Sequence, residues 1–241
     1  MVKLYKNFNI DNHHKNSIIL IGNFDGLHLG HQKLFKLALS YKKKYNSKIG
    51  VINFDPMPKM YFNNSLKNFK ISSVNQKLEL LKELKVDFII TKKFDKNFSK
   101  IKPIKFIKEI LYKKLNCKFI FVSNNFRFGN KREGDVKLLI QNEKNYNYKV
   151  IKPKPLLKSK KIVSSTIIRN LLEKGNLNRA NKFLGREWTI DGIVQKGRQV
   201  GKKIGFPTCN IDIKDYVLAQ PGVYAVRVLR KKNQKKLSGI A

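Results

Sequence analysis

Acidic residues are scarce in this chain: 16 Asp and Glu stand against 52 Lys and Arg among 241 residues, a formal charge of +36. Long apolar runs are missing as well. The longest blocks, Ile18–Ile21 and Phe119–Val122, fall far short of the roughly 18 residues of a membrane span, which excludes a membrane helix and predicts a soluble chain. The polar, Asn- and Lys-rich segment from Met1 to His14 has neither the apolar stretch nor the cleavage site of a signal peptide, so a cytoplasmic location is expected. Only two cysteines are present, Cys117 and Cys209, far apart and in different kinds of sequence. That excludes a disulfide framework, fits a reducing compartment, and offers no metal-ligand set. Disorder is excluded in turn, because 41% hydrophobic and 11% aromatic residues supply ample core.

Arginine is also sparse. Eight of the basic residues are arginine and 44 are lysine, spread along the whole chain beside abundant Asn, Ile and Phe. This pattern reads as composition rather than as a nucleic-acid surface, for which Arg geometry is favoured. A basic nucleic-acid-binding protein stays open as a rival, recognisable by a steep salt dependence. In either case the charge speeds encounter with anionic substrates.

Five β-prone runs recur at about 30-residue intervals, at Ser17–Gly22, Lys48–Phe54, Val86–Thr91, Lys118–Ser123 and Tyr148–Pro153. Between them, helical spacing predicts helices over Gln32–Tyr45, Val74–Leu84 and Pro103–Leu115. Alternation of this kind predicts an α/β fold with a Rossmann-like parallel sheet. Ligands of such sheets sit beyond the carboxyl ends of the strands. After Arg186 the texture changes to short strand-like runs, Thr189–Gln195, Thr208–Ile213 and Val223–Leu229, ending in a strand-like Leu237–Ala241. The expected division is therefore residues 1–184 as the α/β domain and 185–241 as part of a small all-β barrel.

The residues that carry chemistry follow the predicted strands. Gly22-Asn23-Phe24-Asp25-Gly26-Leu27-His28-Leu29-Gly30-His31 lies where the first strand meets the first helix. A helix N-terminus there offers free N–H groups to a phosphate, the glycines let a nucleotide approach, and His28 and His31 are spaced to share a face. The plainer alternatives are two structural histidines at a turn, or a metal site, for which the other histidines, His13 and His14, have no carboxylate or cysteine cluster to complete a set. Ser164-Ser165-Thr166, with Arg169 one turn on, reads either as a plain helix cap or as a phosphate cradle with a charge clamp. Asn125-Phe126-Arg127-Phe128 alternates aromatic and cationic groups suited to a planar, phosphorylated ligand. Asp55-Pro56-Met57-Pro58, with Tyr61 and Phe62 beyond, forms a stiff apolar loop that reads as a slot wall or an empty lid. Together these suggest a nucleotide and a second planar, phosphorylated substrate.

These motifs closely resemble the prokaryotic bifunctional riboflavin kinase/FAD synthetases. The Gly22–His31 run is similar to that family's nucleotidyltransferase signature. Asn125–Gly129 with Arg132, Gly134 and Asp135 resembles its flavin-side loop, and Ser164-Ser165-Thr166 with Ile168-Arg169 its second phosphate motif. Gly197-Arg198 through Gly201, Gly205-Phe206-Pro207-Thr208-Cys209-Asn210 and Pro221-Gly222-Val223-Tyr224 are similar to the opening half of its kinase barrel. Met57 departs from the family, which carries His between the two prolines.

The resemblance implies transfer of AMP from ATP, with Mg²⁺, to FMN, giving FAD and pyrophosphate. It implies His28 and His31 as catalytic, with Gly22, Asn23, Phe24, Asp25, Gly30, Ser164, Ser165, Thr166 and Arg169 binding ATP, and no protein-held metal. Asn125, Phe126, Phe128, Pro56, Pro58 and Phe62 would hold the flavin. Thr208 and Asn210 match the family's Mg-nucleotide pair for phosphorylating riboflavin. The family's kinase carboxylate lies beyond the position of Ala241, so adenylyl transfer is the expected activity of this chain and kinase activity is not. A nucleotidyltransferase with another phosphorylated acceptor is the rival within enzymes.

Overall fold

A computed structural model describes residues 1–158, 160–195, 197, 205, 208–230 and 235–241. Its centre is a six-stranded parallel sheet built from β1 (Lys3–Tyr5), β2 (Ile18–Ile21), β3 (Ile49–Asp55), β4 (Phe88–Lys93), β5 (Phe119–Phe121) and β6 (Lys149–Ile151). The spatial order is β1-β4-β3-β2-β5-β6. All five β-prone runs enter this sheet, and its Rossmann-like order makes the chain an α/β protein. The order reverses at β2, which pairs with β3 on one side and β5 on the other. The crevice above that reversal is where such sheets take their ligands.

β2 shows why these residues form a central strand. All four of its residues are buried, with Ile19 and Ile21 in one apolar cluster and Ile18 and Leu20 in the other. A strand covered on both faces reads as a continuous apolar run rather than an alternating one. Next to it, Gly50 of β3 leaves room for Phe88, since a Cβ there would lie 2.1 Å from the ring.

Helices cover both faces: α1 (Leu29–Tyr45), α2 (Val74–Glu83), α3 (Phe106–Lys114), α4 (Val136–Gln141), α5 (Ser165–Glu173) and α6 (Leu177–Leu184). The helix expected from Gln32 begins three residues earlier, because the His28 ring caps it. The helix expected over Pro103–Leu115 opens with one turn and then winds in the wider π form over α3. Buried Phe106, Ile110 and Leu115 lie four and five residues apart, a spacing that suits the wider turn. β1 was not expected from its polar sequence. It is an edge strand whose backbone pairs with β4, so it needs little apolar alternation.

Beyond Leu184 the described strands are short and antiparallel. Val194–Gln195 pairs with Asn210–Ile211, and Ala225–Arg230 with Lys235–Ile240. Most of this region is exposed, but Tyr216 and Val217 are buried, Val217 against α5 and α6. The Phe69 and Lys70 amides donate to the Asp215 carbonyl at 3.1 and 2.8 Å, and the Trp188 indole donates to the Ile71 carbonyl at 2.9 Å. Of the kinase-like motifs, Arg198 to Gly201 and Phe206-Pro207 lie outside the described residues.

Candidate functional site

The loop leaving β2 turns through a left-handed Phe24 (φ 47°) and Gly26 (φ 72°). Gly26 has to be glycine, because a Cβ would lie 2.8 Å from Ile71. Between them Asp25 is buried and carries four hydrogen bonds or ion-pair contacts. It accepts from the Ile71 amide with both oxygens at 3.1 Å, from the Ser72 amide at 3.3 Å, and from the Arg169 guanidinium at 2.5 Å. Arg169 also donates to the Phe69 carbonyl at 2.7 Å and stacks 3.7 Å over the Phe69 ring. The sequence suggested Arg169 as a charge clamp on phosphate. The structure instead places its charge on Asp25, where the pair locks α5 to the β2–α1 loop.

His28 caps α1, its Nδ1 accepting from the His31 amide at 3.3 Å. The two rings stack with centroids 3.6 Å apart and planes 17° from parallel. Burial, with the nearby Arg169 and Arg186 charges, pushes His28 down to about 4. Burial and the adjacent His28 push His31 well below the ordinary histidine range. Both are therefore neutral at pH 7. Because His28 Nδ1 is an acceptor, its proton sits on Nε2, which is free to donate to an anion. His31 Nδ1 is buried without a hydrogen-bond partner.

α5 arrives at the same place. Ser164 caps it, accepting from the Ile167 amide at 3.4 Å, and the Ser165 hydroxyl donates to the Asp25 carbonyl at 3.1 Å. Thr166 is exposed. Gly30 permits the meeting of the two helix ends, because a Cβ would lie 3.0 Å from the Val163 carbonyl. The N-termini of α1 and α5 thus converge beyond β2, each with unpaired N–H groups and a positive dipole end.

The expected flavin-side residues divide. Phe62 is 67% exposed and Pro56 is exposed, whereas Met57 between the prolines is 3% exposed. Phe128 is buried in the core, tilted against Phe106 at 5.4 Å, and Phe126 is half-buried and stacked on it at 5.5 Å. Asn125 is exposed and accepts from the Ser123 hydroxyl. Ring contacts through Phe94, Phe54, Phe98 and Phe106 join Phe62 to Phe128, so the two loops share one aromatic wall. Thr208 and Asn210 are both exposed, and Asn210 pairs with Gln195.

Sequence reasoning missed three groups. Lys77 of α2 is 5% exposed and donates to the Asn23 carbonyl at 3.4 Å. Arg186 buries a guanidinium nitrogen without a partner. Neither stood out among 52 basic residues. The third is Asp11, which supplies the carboxylate that His13 and His14 were thought to lack, with ligand atoms within 4.8 Å of one another. His14 Nδ1 is bonded to the Tyr5 hydroxyl at 2.8 Å, and the trio precedes β2, at the opposite end of that strand from the cradle.

The chain resembles known proteins over most of its length. The FAD synthetase family matches residues 10–167 and the riboflavin kinase family residues 184–241. A bifunctional riboflavin kinase/FMN adenylyltransferase from Buchnera aphidicola subsp. Schizaphis graminum is 41% identical over 91% of this chain and 71% of its own length. The protein of the same name from Escherichia coli K12 is 35% identical over 93% of this chain and 71% of its own. A crystal structure described as a macrolide-efflux protein from Streptococcus pneumoniae superposes with a TM-score of 0.82 at 28% identity, covering 99% of this chain and 77% of the other. Among the described residues of this chain, no helix is long and apolar enough to cross a membrane.

Proposed function

The chain belongs to the bifunctional riboflavin kinase/FMN adenylyltransferase family, and from that premise we propose that residues 1–184 transfer AMP from ATP to FMN. The observation that carries this reading is the convergence of two helix N-termini, with a stacked neutral His28/His31 pair, beyond the central strand. Such a place binds phosphate.

In the reaction a phosphate oxygen of FMN attacks the α-phosphorus of ATP. A new O–P bond forms, the bond from that phosphorus to the bridging oxygen breaks, and pyrophosphate leaves with the electron pair. Catalysis of this kind is positioning and charge stabilisation, and no covalent enzyme intermediate is needed. The His28 Nε2 proton and the free amides of α1 donate to oxygens on which charge grows. Ser164 and Thr166 at the start of α5 hold the outer phosphates. Gly22, Asn23 and Gly30 let the nucleotide approach the backbone, and Asp25, Phe24 and Arg169 hold the loop in shape.

Mg²⁺ fits this site only as a companion of ATP. The cradle presents donors, and the Asp25 oxygens are already occupied by amides and Arg169. On the flavin side, exposed Phe62 and Pro56, with Pro58 and Phe126, offer a flat apolar wall to the ring system, and Asn125 its polar edge. Phe128 supports that wall from the core. Residues 185–241 form part of a riboflavin kinase barrel, with Thr208 and Asn210 as its Mg-nucleotide pair.

The test is to incubate the chain with Mg-ATP and either FMN or riboflavin and to separate the flavins chromatographically. FAD from FMN is the expected result. A folded chain that yields no FAD overturns the reading, and FMN from riboflavin would add kinase activity to it.

A further inference from the structure

The cradle as first read has a charge problem. Arg169 is cancelled by Asp25, and burial keeps His28 and His31 neutral. None of the motif residues then brings net positive charge to a ligand carrying several negative charges.

Two other cations surround the same loop. Lys77 reaches from the second turn of α2 to the Asn23 carbonyl at 3.4 Å, a long and weak bond for a side chain only 5% exposed. Arg186 follows Gly185, which is pressed against Leu29 of α1 at 2.5 Å from an added Cβ, and it buries an Nη1 that has no partner. Among the described residues, no carboxylate forms an ion pair with either one. A buried cation with no carboxylate in salt-bridge contact is costly, even with Asp25 and Asp55 acting on Lys77 and Glu83 and Asp25 on Arg186 from farther away, and an anion from outside the protein would offset that cost. The positions agree with that. Lys77 feels the carboxylates of Asp25 and Asp55, at the carboxyl ends of β2 and β3, and Arg186 is close enough to His28 to lower its proton affinity.

We propose that Lys77 and Arg186, rather than Arg169, supply the net positive charge that the nucleotide phosphates meet in the cradle. Arg186 comes from outside the two phosphate motifs, at the junction between the α/β domain and the barrel-like region. The phosphate site is thereby completed by the chain that leads into the second region. The proposal rests on the adenylyltransferase reading and adds two positioning residues to it.

Inorganic pyrophosphate with Mg²⁺ is the probe, titrated calorimetrically into the full chain and into Lys77→Met and Arg186→Met. Thermal melts and conversion of FMN to FAD are recorded beside it. Each variant is expected to bind pyrophosphate about tenfold more weakly, the loss of one charge-assisted contact. The KM for ATP should rise with little change in the KM for FMN. Melting temperatures should hold or rise, because an unpaired buried charge has been removed. A merely structural brace predicts the reverse, a lower melting temperature with binding intact. Arg186→Lys should recover most of the affinity, and exposed Lys36→Met should lose none, which separates a local charge from the general +36. Unchanged pyrophosphate affinity in one variant removes that residue, and in both overturns the proposal. A wild-type chain that makes no FAD removes the functional reading instead.

Discussion

The two sides of the crevice are built by opposite means. On the phosphate side, the groups that shape the loop are buried and paired before any ligand arrives, Asp25 4% exposed with its oxygens bonded and His28 5% exposed and capping a helix, while His31 Nδ1 and an Arg186 nitrogen are left without a partner. On the proposed flavin side, Phe62 stands 67% exposed with its ring edge to face against Phe94, at the end of a chain of touching rings. On the proposed function, the difference follows from the ligands' chemistry. A phosphate must be oriented by fixed donors, whose arrangement the fold has to maintain. A planar ring needs a flat apolar surface, which tolerates adjustment.

Asp25→Asn gives the largest expected effect on the first side. It leaves Arg169 buried without its carboxylate and should cost about 3–5 kcal/mol in urea denaturation. Asp25→Asn with Arg169→Met should recover part of that loss, and a double variant as unstable as the single one would break the comparison. Phe128→Ala sharpens the opposite side. Although it lies in the flavin motif, its ring is core, so stability should fall by about 3–5 kcal/mol.

Acid should act on the phosphate side through His28. Burial depresses His28 from 6.5 to about 4 in the folded chain, so the unfolded chain binds the proton first. The stability present above pH 6.5 should therefore fall as the pH drops toward 4, and His28→Ala should flatten that part of the curve. Denaturant midpoints measured at several pH values check this, and an unchanged slope in the variant contradicts it. The smallest effect is expected for Phe62→Ala, which should leave stability within about 0.5 kcal/mol. The same variant should raise the KM for FMN about fivefold without altering that for ATP.

Much of this was legible in the sequence. Five strands and the meeting of Gly22–His31 with Ser164–Arg169 beyond the strand ends follow from local pattern, because apolar runs, glycine turns and caps are local features, whereas the strand order and its reversal at β2 come from the pairing alone. What was not legible is long-range. Arg169 and Asp25 are 144 residues apart, and nothing in either segment says that the arginine turns inward to the loop rather than outward to a ligand. Phe128 sat in a motif that looked like a ligand wall, and only the three-dimensional neighbours Phe106 and Gly134 show it to be core. Lys77 and Arg186 were hidden by composition, since nothing in their local sequence marks them among 52 basic residues and only their placement in the fold does. The short strand β1 and the π winding of α3 depend on pairing and fit that spacing does not encode.

The account stands most directly on one side-by-side rate: FAD formed from FMN and Mg-ATP by the wild-type chain and by His28→Ala, with circular dichroism to confirm that both fold. It predicts FAD in the first and about a hundredfold lower rate in the second, the scale of losing one donor to the developing charge. Equal rates in two folded proteins, or no FAD from the wild type, would contradict it.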